Sequence, residues 1–502
     1  MWRVRMRRKG AHRKVRREEA IAVTMAQHAT VASGARSLGL RYVAEEYRRD
    51  LRAKIRAAAE AWPTVRDLPF EERITLCGRL AELLEKERPK LEELLVTEAG
   101  NPRKFARFES SRGPQMARDF PQVLEEIRPR RLPSRQGANL LRYEPYGVVA
   151  VMSPGNAPLI VPLYNLLSAL GAGNAVVLRP SSHAPLVAQR LVELVYEAGA
   201  PAGAIQLSFC AAEDAAWEFV ENPTVRVLVT YASSAVGKDN VVKLGTYLAR
   251  TARDVKGCLQ VDGRLLHYVP ELAGNDPLIV LEGADLSKAA DAAVTGAFAN
   301  AGQLCFSAKR ILVEAPVADE FKRVFVARIR SLKVGDPADL EIDVVRISDP
   351  ETMRRSLYQY EEALRKGGTL VAGGVSDDGV ILPTVIEFGI EQLRGAPEEK
   401  PFLWVEEAFA PLRSLVVFDG DEQCLALAND SAYGLAASVF GPEERALTLA
   451  WGLEVARVAV NESPLFADPH LPLGGIKDSG LRGSPHKVHE LTYIKRVHVG
   501  RE

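Results

Sequence analysis

The sequence predicts an α/β fold: two doubly wound, Rossmann-like units with a small β excursion attached. Three observations carry that prediction. At 502 residues the chain is too long for one hydrophobic core. Short apolar strands alternate with helical stretches in both halves, the pattern of parallel sheets covered on both faces. Between Pro121 and Tyr143 the alternation breaks into a basic, turn-rich run, Arg128-Pro129-Arg130-Arg131-Leu132-Pro133-Ser134-Arg135-Gln136-Gly137, followed by the strand-like Asn139-Leu140-Leu141-Arg142-Tyr143.

Taken in order, Val43 to about Phe108 is helical, with apolar residues at threes and fours around Ile74 to Leu84. After the excursion come four apolar strands, Gly147–Met152, Ala175–Arg179, Ala204–Phe209 and Val225–Thr230, with helical runs between them. A sheet of this kind takes ligands beyond the carboxyl ends of its strands, so it predicts a nucleotide site. No GxGxxG follows any strand. Instead Tyr231-Ala232-Ser233-Ser234-Ala235-Val236-Gly237 opens a helix with small residues, where free amides could hold a phosphate or the residues could simply pack closely. The second half alternates again: Arg310–Glu314, a helix over Val317–Leu332, a Gly-rich hairpin-like region at Gly367–Gly379, then Ser414–Phe418, Ala437–Phe440 and Arg457–Val460. The last strand-like stretch, Leu491–Val499, is a candidate partner for the Asn139 excursion in a dimer.

Composition narrows the function classes. The 65 basic residues balance 65 acidic ones, which gives no global preference for a polyanion, so nucleic acid is not the expected partner. Nine Arg or Lys crowd Met1 to Arg17 without an apolar stretch behind them, which reads as a disordered, solvated tail over 1–24, or as translated sequence ahead of a later start such as Met25, in preference to a tether for an anionic surface. No run approaches the ~20 apolar residues of a membrane span, and a cytoplasmic location is expected. Five cysteines without a CxxC pair point to a reducing compartment and no structural metal.

One of them, Cys305, stands in Asn300-Ala301-Gly302-Gln303-Leu304-Cys305-Phe306-Ser307, a Gly-containing loop after the alanine-rich helical run Leu286–Ala299. A thiol there is presented rather than packed, as a nucleophile must be. Glu271 lies between an apolar strand and a small-residue turn, where a half-buried carboxylate could take a proton from water, or merely cap a helix.

Six ordered stretches between about Arg56 and Val499 together resemble the aldehyde dehydrogenase superfamily: Glu144–Val149 with Ser153–Leu159, Glu271–Gly274, Asn300–Cys305, Glu406–Pro411, Asn429–Leu435 and Leu473–Gly480. The resemblance implies a cofactor-binding domain (25–122 and 146–272), a catalytic domain (273–470), and oligomerisation strands (123–145 and 485–502) that make a homodimer or homotetramer. It implies Cys305 as nucleophile, Glu271 as general base and Asn156 as oxyanion donor, with a small-molecule aldehyde as substrate and no metal. On the cofactor it implies Glu407 on the nicotinamide ribose, Phe409 beside the ring, Ser233 at the pyrophosphate, Met152 and Pro154 along the strand end, and Asn461 as a support.

There are departures. Where many NAD-preferring members carry Lys and a ribose-binding Glu, this chain has Arg179 and Ser182, which favours NADP while leaving NAD open. Ala232 and Ala273 replace customary glycines, and the stretch from Gly237 to Glu271 is longer than usual. A proton-relaying Lys and Glu of some members appear as Asn165 and Ser484. Gly155, often a bulky aromatic, would leave room in a pocket near Tyr164, Leu304, Phe306 and Phe466–His470 for a medium-sized aldehyde. The competing expectations are a coenzyme A-acylating relative, which would have no use for Glu271 as a hydrolytic base, and a non-catalytic assembly relative.

Overall fold

A computed structural model describes residues 40–255, 258–466, 468, 471–481 and 487–500. The basic tail at 1–24, Ser484 and part of the Phe466–His470 loop therefore lie outside the described residues.

Three helices open the described chain: α1 (Leu40–Arg66), α2 (Phe70–Thr97) and α3 (Arg103–Glu125). The last runs through Pro114 and Pro121, so the change of character read at Pro121 falls within a helix. A Phe120, Val123, Leu124 face buried against the core outweighs the bond each proline forfeits. The excursion begins later, as the hairpin β1 (Arg130–Ser134) and β2 (Gly137–Pro145).

The chain then alternates through β3 (Val148–Met152), α4 (Ile160–Ala172), β4 (Ala175–Arg179), α5 (Pro185–Glu197), β5 (Ile205–Leu207), α6 (Ala212–Glu221), β6 (Val225–Tyr231) and α7 (Ser234–Arg250). A detour follows as β7 (Ala252–Val255) and β8 (Cys258–Val261), an antiparallel pair of its own, before β9 (His267–Glu271). This detour accounts for the long stretch before Glu271. The parallel sheet has the order β5-β4-β3-β6-β9. Chain direction across it reverses between β3 and β6, and such a switch point opens a crevice at the carboxyl ends. Residues Val149, Val151, Val176, Leu178, Val227 and Val229 are fully shielded, as strands covered on both faces require.

The second sheet is built from β10 (Asp276–Val280), β11 (Ala308–Glu314), β12 (Thr369–Ala372), β13 (Thr384–Phe388), β14 (Leu412–Phe418), β15 (Ala436–Phe440) and β16 (Arg457–Val460). Its order is β12-β13-β14-β11-β10-β15-β16, parallel except for the edge strand β12. Helix α8 (Leu286–Phe298) crosses from β10 towards β11. The joint between the sheets is short: β9 ends at Glu271 and β10 starts at Asp276. The carboxyl edge of the first sheet therefore meets the amino edge of the second.

The final strand, β17 (Thr492–Gly500), pairs antiparallel with β2 of its own chain, Asn139 opposite His498. The sequence alone makes these two strands candidate partners in a dimer. A nine-residue register from Gly137↔Gly500 to Pro145↔Thr492 makes this pairing within one chain and leaves β17 at the edge of the three-stranded sheet. Among the described residues no helix is long and apolar enough to cross a membrane.

Candidate active site

Two loops meet where the sheets join. The first leaves β3, runs from Ser153 to Leu159 and enters α4. Its end is held by the buried carboxylate of Glu109 on α3, whose Oε1 accepts from the N–H of Leu159 at 2.8 Å and of Ile160 at 2.9 Å. An anion on the free amides of a helix start is favourable. Burial nevertheless pushes this carboxyl up to about 7, with the two amide bonds pulling it back.

The second loop leaves α8 through a tight turn, Ala299–Gly302, in which Asn300 (φ 49), Ala301 (φ 54) and Gly302 (φ 72) are all left-handed. Two successive non-glycine residues in that region are strained and must be held from outside. The buried guanidinium of Arg413 does so. It donates to the carbonyls of Ala410 (2.6 Å), Leu412 (2.8 Å), Ala408 (3.2 Å) and Gly302 (3.3 Å), to Ser307 Oγ (3.2 Å), and to the Ala297 carbonyl. A Cβ on Gly302 would overlap that guanidinium and the Ala410 carbonyl, so only glycine fits.

The loops are cross-tied. Asn156 Nδ2 donates to the Gln303 carbonyl at 2.8 Å, and Asn300 Nδ2 donates back to the Asn156 carbonyl at 2.8 Å. Asn156 thus sits against the turn that carries Cys305. The short joint between the sheets approaches from the other side: a Cβ on Gly274 would lie 2.6 Å from the Cys305 carbonyl oxygen, which explains a glycine three residues beyond Glu271.

Cys305 is half-buried, while Cys77, Cys210 and Cys424 are buried. Burial pushes the Cys305 thiol up to about 12; Lys309 pulls it down, and the carboxyls of Glu407 and Asp276 push it further up. Lys309 is shielded from solvent. Its Nζ donates to the carbonyls of Leu304 (2.8 Å) and Cys305 (2.5 Å) and pairs with Glu407 at 3.0 Å. Glu407 also accepts from the Gly274 N–H at 3.2 Å. The carboxylate expected at the cofactor is thus one ammonium away from the backbone of the expected nucleophile. Asp276 accepts from the Ala436 N–H at 3.1 Å through Oδ1, whereas its Oδ2 has no hydrogen-bond partner among the described residues, and burial drives its carboxyl up to about 7. The Arg457 guanidinium stacks 4.9 Å from the Phe306 ring centroid and donates to the Pro464 carbonyl at 3.2 Å.

Glu271 ends β9, opposite Tyr231 in the ladder. Its carboxylate has the partial burial expected of it, but it also has a cation against it: Lys487 Nζ donates to Oε1, with the two side chains 1% (Lys487) and 11% (Glu271) exposed. Around this pair, Asn165 Nδ2 donates to the Tyr231 hydroxyl at 2.9 Å, and the Lys487 N–H donates to the Tyr164 hydroxyl at 3.4 Å. Burial, reinforced by the nearby Glu271 charge, holds the Tyr231 phenol well above its ordinary value. Lys487 escaped the sequence reading because it belongs to no motif. Its only local signal is a four-residue helix, Lys487–Glu490, with the buried Val488 inside it and the buried Leu491 after it.

On the carboxyl edge of the first sheet, Met152 and Arg179 end neighbouring strands in register. Arg179 is half-buried, its Nε donates to the Cys210 carbonyl at 3.1 Å, and no carboxylate among the described residues pairs with it. Pro154 is half-buried and Ser182 is exposed in the turn after β4. Ser233 caps α7, accepting from the Val236 N–H at 3.3 Å, and Gly237 packs directly on Leu272. Phe409 is half-buried two residues beyond Glu407. Asn461, with φ 53, exchanges two hydrogen bonds of 2.9 Å with Gly441, behind the site rather than in it. Tyr164 and Leu304 are buried, Phe306 is half-buried and Phe466 is exposed. Gly155 does not open a pocket: a Cβ there would lie 2.6 Å from Ser181 Oγ, so the missing side chain is space that Ser181 already fills.

Comparison with known proteins gives a consistent result. A profile described as "Aldehyde dehydrogenase family" matches residues 26–497. A lactaldehyde dehydrogenase of Methanocaldococcus jannaschii is 30% identical over 461 residues, covering 90% of this chain and 93% of that protein. A benzaldehyde dehydrogenase of Bacillus subtilis is 30% identical over 469 residues, 90% of each. Among solved structures, the glyceraldehyde-3-phosphate dehydrogenase GapN of M. jannaschii complexed with NADP superposes with a TM-score of 0.80 at 30% identity, covering 90% of this chain and 95% of that one.

Proposed function

This chain belongs to the aldehyde dehydrogenase family, and we propose that it oxidises an aldehyde to a carboxylic acid through a thioester on Cys305, with NADP as its cofactor and NAD as the alternative. The observation that carries this reading is the cross-tie between Asn156 and the turn of Cys305, made by two hydrogen bonds of 2.8 Å.

The residues present fit a dinucleotide. The crevice between β3 and β6 ends at a capped helix start, and Arg179 offers a guanidinium without a carboxylate partner, suited to a 2′-phosphate. Arg179 and Ser182 would hold the adenine ribose, Ser233 the pyrophosphate, and Glu407 the nicotinamide ribose, with Met152, Pro154 and Phe409 alongside. Bound there, the nicotinamide supplies the acceptor for a hydride given up by the substrate carbon.

The chain's own residues do the rest. The Cys305 thiol gives its proton to solvent water, and the sulfur bonds to the aldehyde carbon as the C=O π electrons move to oxygen. The alkoxide so formed is met by Asn156 Nδ2 and the Cys305 N–H, donors aimed at charge that appears only during reaction. Loss of hydride from that carbon restores the carbonyl as a thioester. Glu271 then takes a proton from water as the water oxygen bonds to the carbonyl carbon, the C–S bond breaks, and the acid leaves.

Steady-state assay of lactaldehyde, benzaldehyde and glyceraldehyde 3-phosphate with NADP and with NAD tests the proposal. Oxidation of at least one, abolished in Cys305→Ala, is expected. Activity unchanged in that variant would remove Cys305 from the chemistry, and an absolute requirement for coenzyme A would favour the acylating alternative over hydrolysis by Glu271.

A further inference from the structure

We infer that Lys487 is the positioning residue for Glu271, holding its carboxylate ready for water and clearing the proton it gains in each turnover. The inference rests on the thioester reading above and extends it to the fate of that proton.

Lys487 reaches the site from the far end of the chain. Its backbone N–H is fixed on the Tyr164 hydroxyl at 3.4 Å, and its Nζ donates to Glu271 Oε1. Among the described residues no other carboxylate lies within ion-pair distance of that ammonium. The remaining groups that face the pair are the Tyr231 ring, 6.0 Å from Nζ on β6, and the Tyr164 hydroxyl on α4, and the Cys305 thiol acts electrostatically on the same Tyr231. On its own short element, Glu490 is occupied by His267 at 3.0 Å. Asn165, at the position where some relatives carry a lysine, is neutral and engaged with the Val161 carbonyl and the Tyr231 hydroxyl. The positive charge beside the base therefore comes from Lys487.

Two consequences follow. With Oε1 engaged by the ammonium, the pair favours Oε2 as the oxygen that accepts from a water. When water attacks the thioester, its oxygen bonds to the carbonyl carbon, one proton passes to Oε2, and the electrons of the C–S bond return to sulfur as thiolate. Lys487 is then a buried ammonium without an anion, an arrangement that costs heavily until a proton leaves the pair for solvent and the carboxylate charge returns. Lys487 in this way promotes release of the proton that hydrolysis deposits. It has no part in forming the thioester.

Rapid-mixing assay of parent, Lys487→Met and Lys487→Arg with the preferred aldehyde and cofactor separates these roles, because reduced cofactor appears with thioester formation while its steady rate includes hydrolysis. Lys487→Met is expected to keep its burst rate within about threefold of the parent and to lose at least roughly thirtyfold in steady-state rate, and Lys487→Arg to recover most of that loss. Burst amplitude counts competent sites, so the ratio of the two rates does not depend on how much of a variant folds. Parallel loss of both rates, an unchanged steady rate, or no recovery by arginine would overturn the inference. A parent that oxidises no aldehyde would instead overturn the thioester reading.

Discussion

The Cys305 thiol is predicted to be un-ionised in the free protein, and its alkylation by iodoacetamide should show this. Burial raises it from 9.0 to about 12. At pH 7.5 the thiolate fraction is then about 3 × 10⁻⁵, against about 3 × 10⁻² for the same group unburied, a loss of about a thousandfold. A more basic thiolate is a better nucleophile: a Brønsted coefficient of ~0.4–0.5 over three decades returns roughly 15- to 30-fold. Alkylation should therefore run about 30- to 60-fold slower than that of an exposed cysteine at pH 7.5, and rise about tenfold per pH unit up to pH 10 without a plateau. Following the Cys305 peptide by mass spectrometry isolates it from the other cysteines. Lys309→Met, which removes the cation that lowers this thiol, should slow the reaction further. A plateau between pH 7 and 9 would refute the reasoning, because it would mean the thiolate is already formed at rest.

Gly302→Ala should destabilise the protein by about 2–4 kcal/mol in urea unfolding and displace the nucleophile turn, since it adds left-handed strain to an overlap with Arg413; a change under about 1 kcal/mol would refute the packing argument. Asp276→Asn tests a charge cost. A carboxyl at about 7 when folded and 3.8 when unfolded weakens the fold above pH 7 by at most roughly 4 kcal/mol, and that penalty disappears as pH falls towards 4. The variant should therefore gain stability over the parent at pH 8 and lose that advantage by pH 4; an advantage independent of pH would refute it. Arg179→Gln should reduce kcat/KM with NADP by roughly tenfold or more, about 1.4 kcal/mol, while changing NAD little, and an equal loss with both would show that the guanidinium serves the fold. The exposed Ile494, Val497 and Val499 of β17, with Leu132 on β1, should be covered in a homodimer or homotetramer, which light scattering would measure; a monomer at micromolar concentration would refute that assembly.

Most of the fold could be read locally, because the period of apolar residues marks strands and helices wherever a segment is buried on both faces. It fails at Pro121, where tertiary burial of one helix face overrides a local breaker. The six motifs placed Cys305, Glu271, Asn156 and Glu407 on the loops that converge, since a motif is a local backbone shape and those shapes survive in sequence. Gly155 was misread because a glycine reports only a missing side chain, not which neighbour fills its place.

By itself, then, the sequence determined two α/β layers, the loop of Cys305 and the order of the residues around it. The tertiary structure alone decided the charges. Lys487 against Glu271 and Lys309 against Glu407 are pairings across long chain separations, and the Asp276 carboxyl owes its shift to burial by packing. Periodicity reports which face of a segment is buried, whereas the energy of a charge depends on what three-dimensional packing brings within a few ångströms of it.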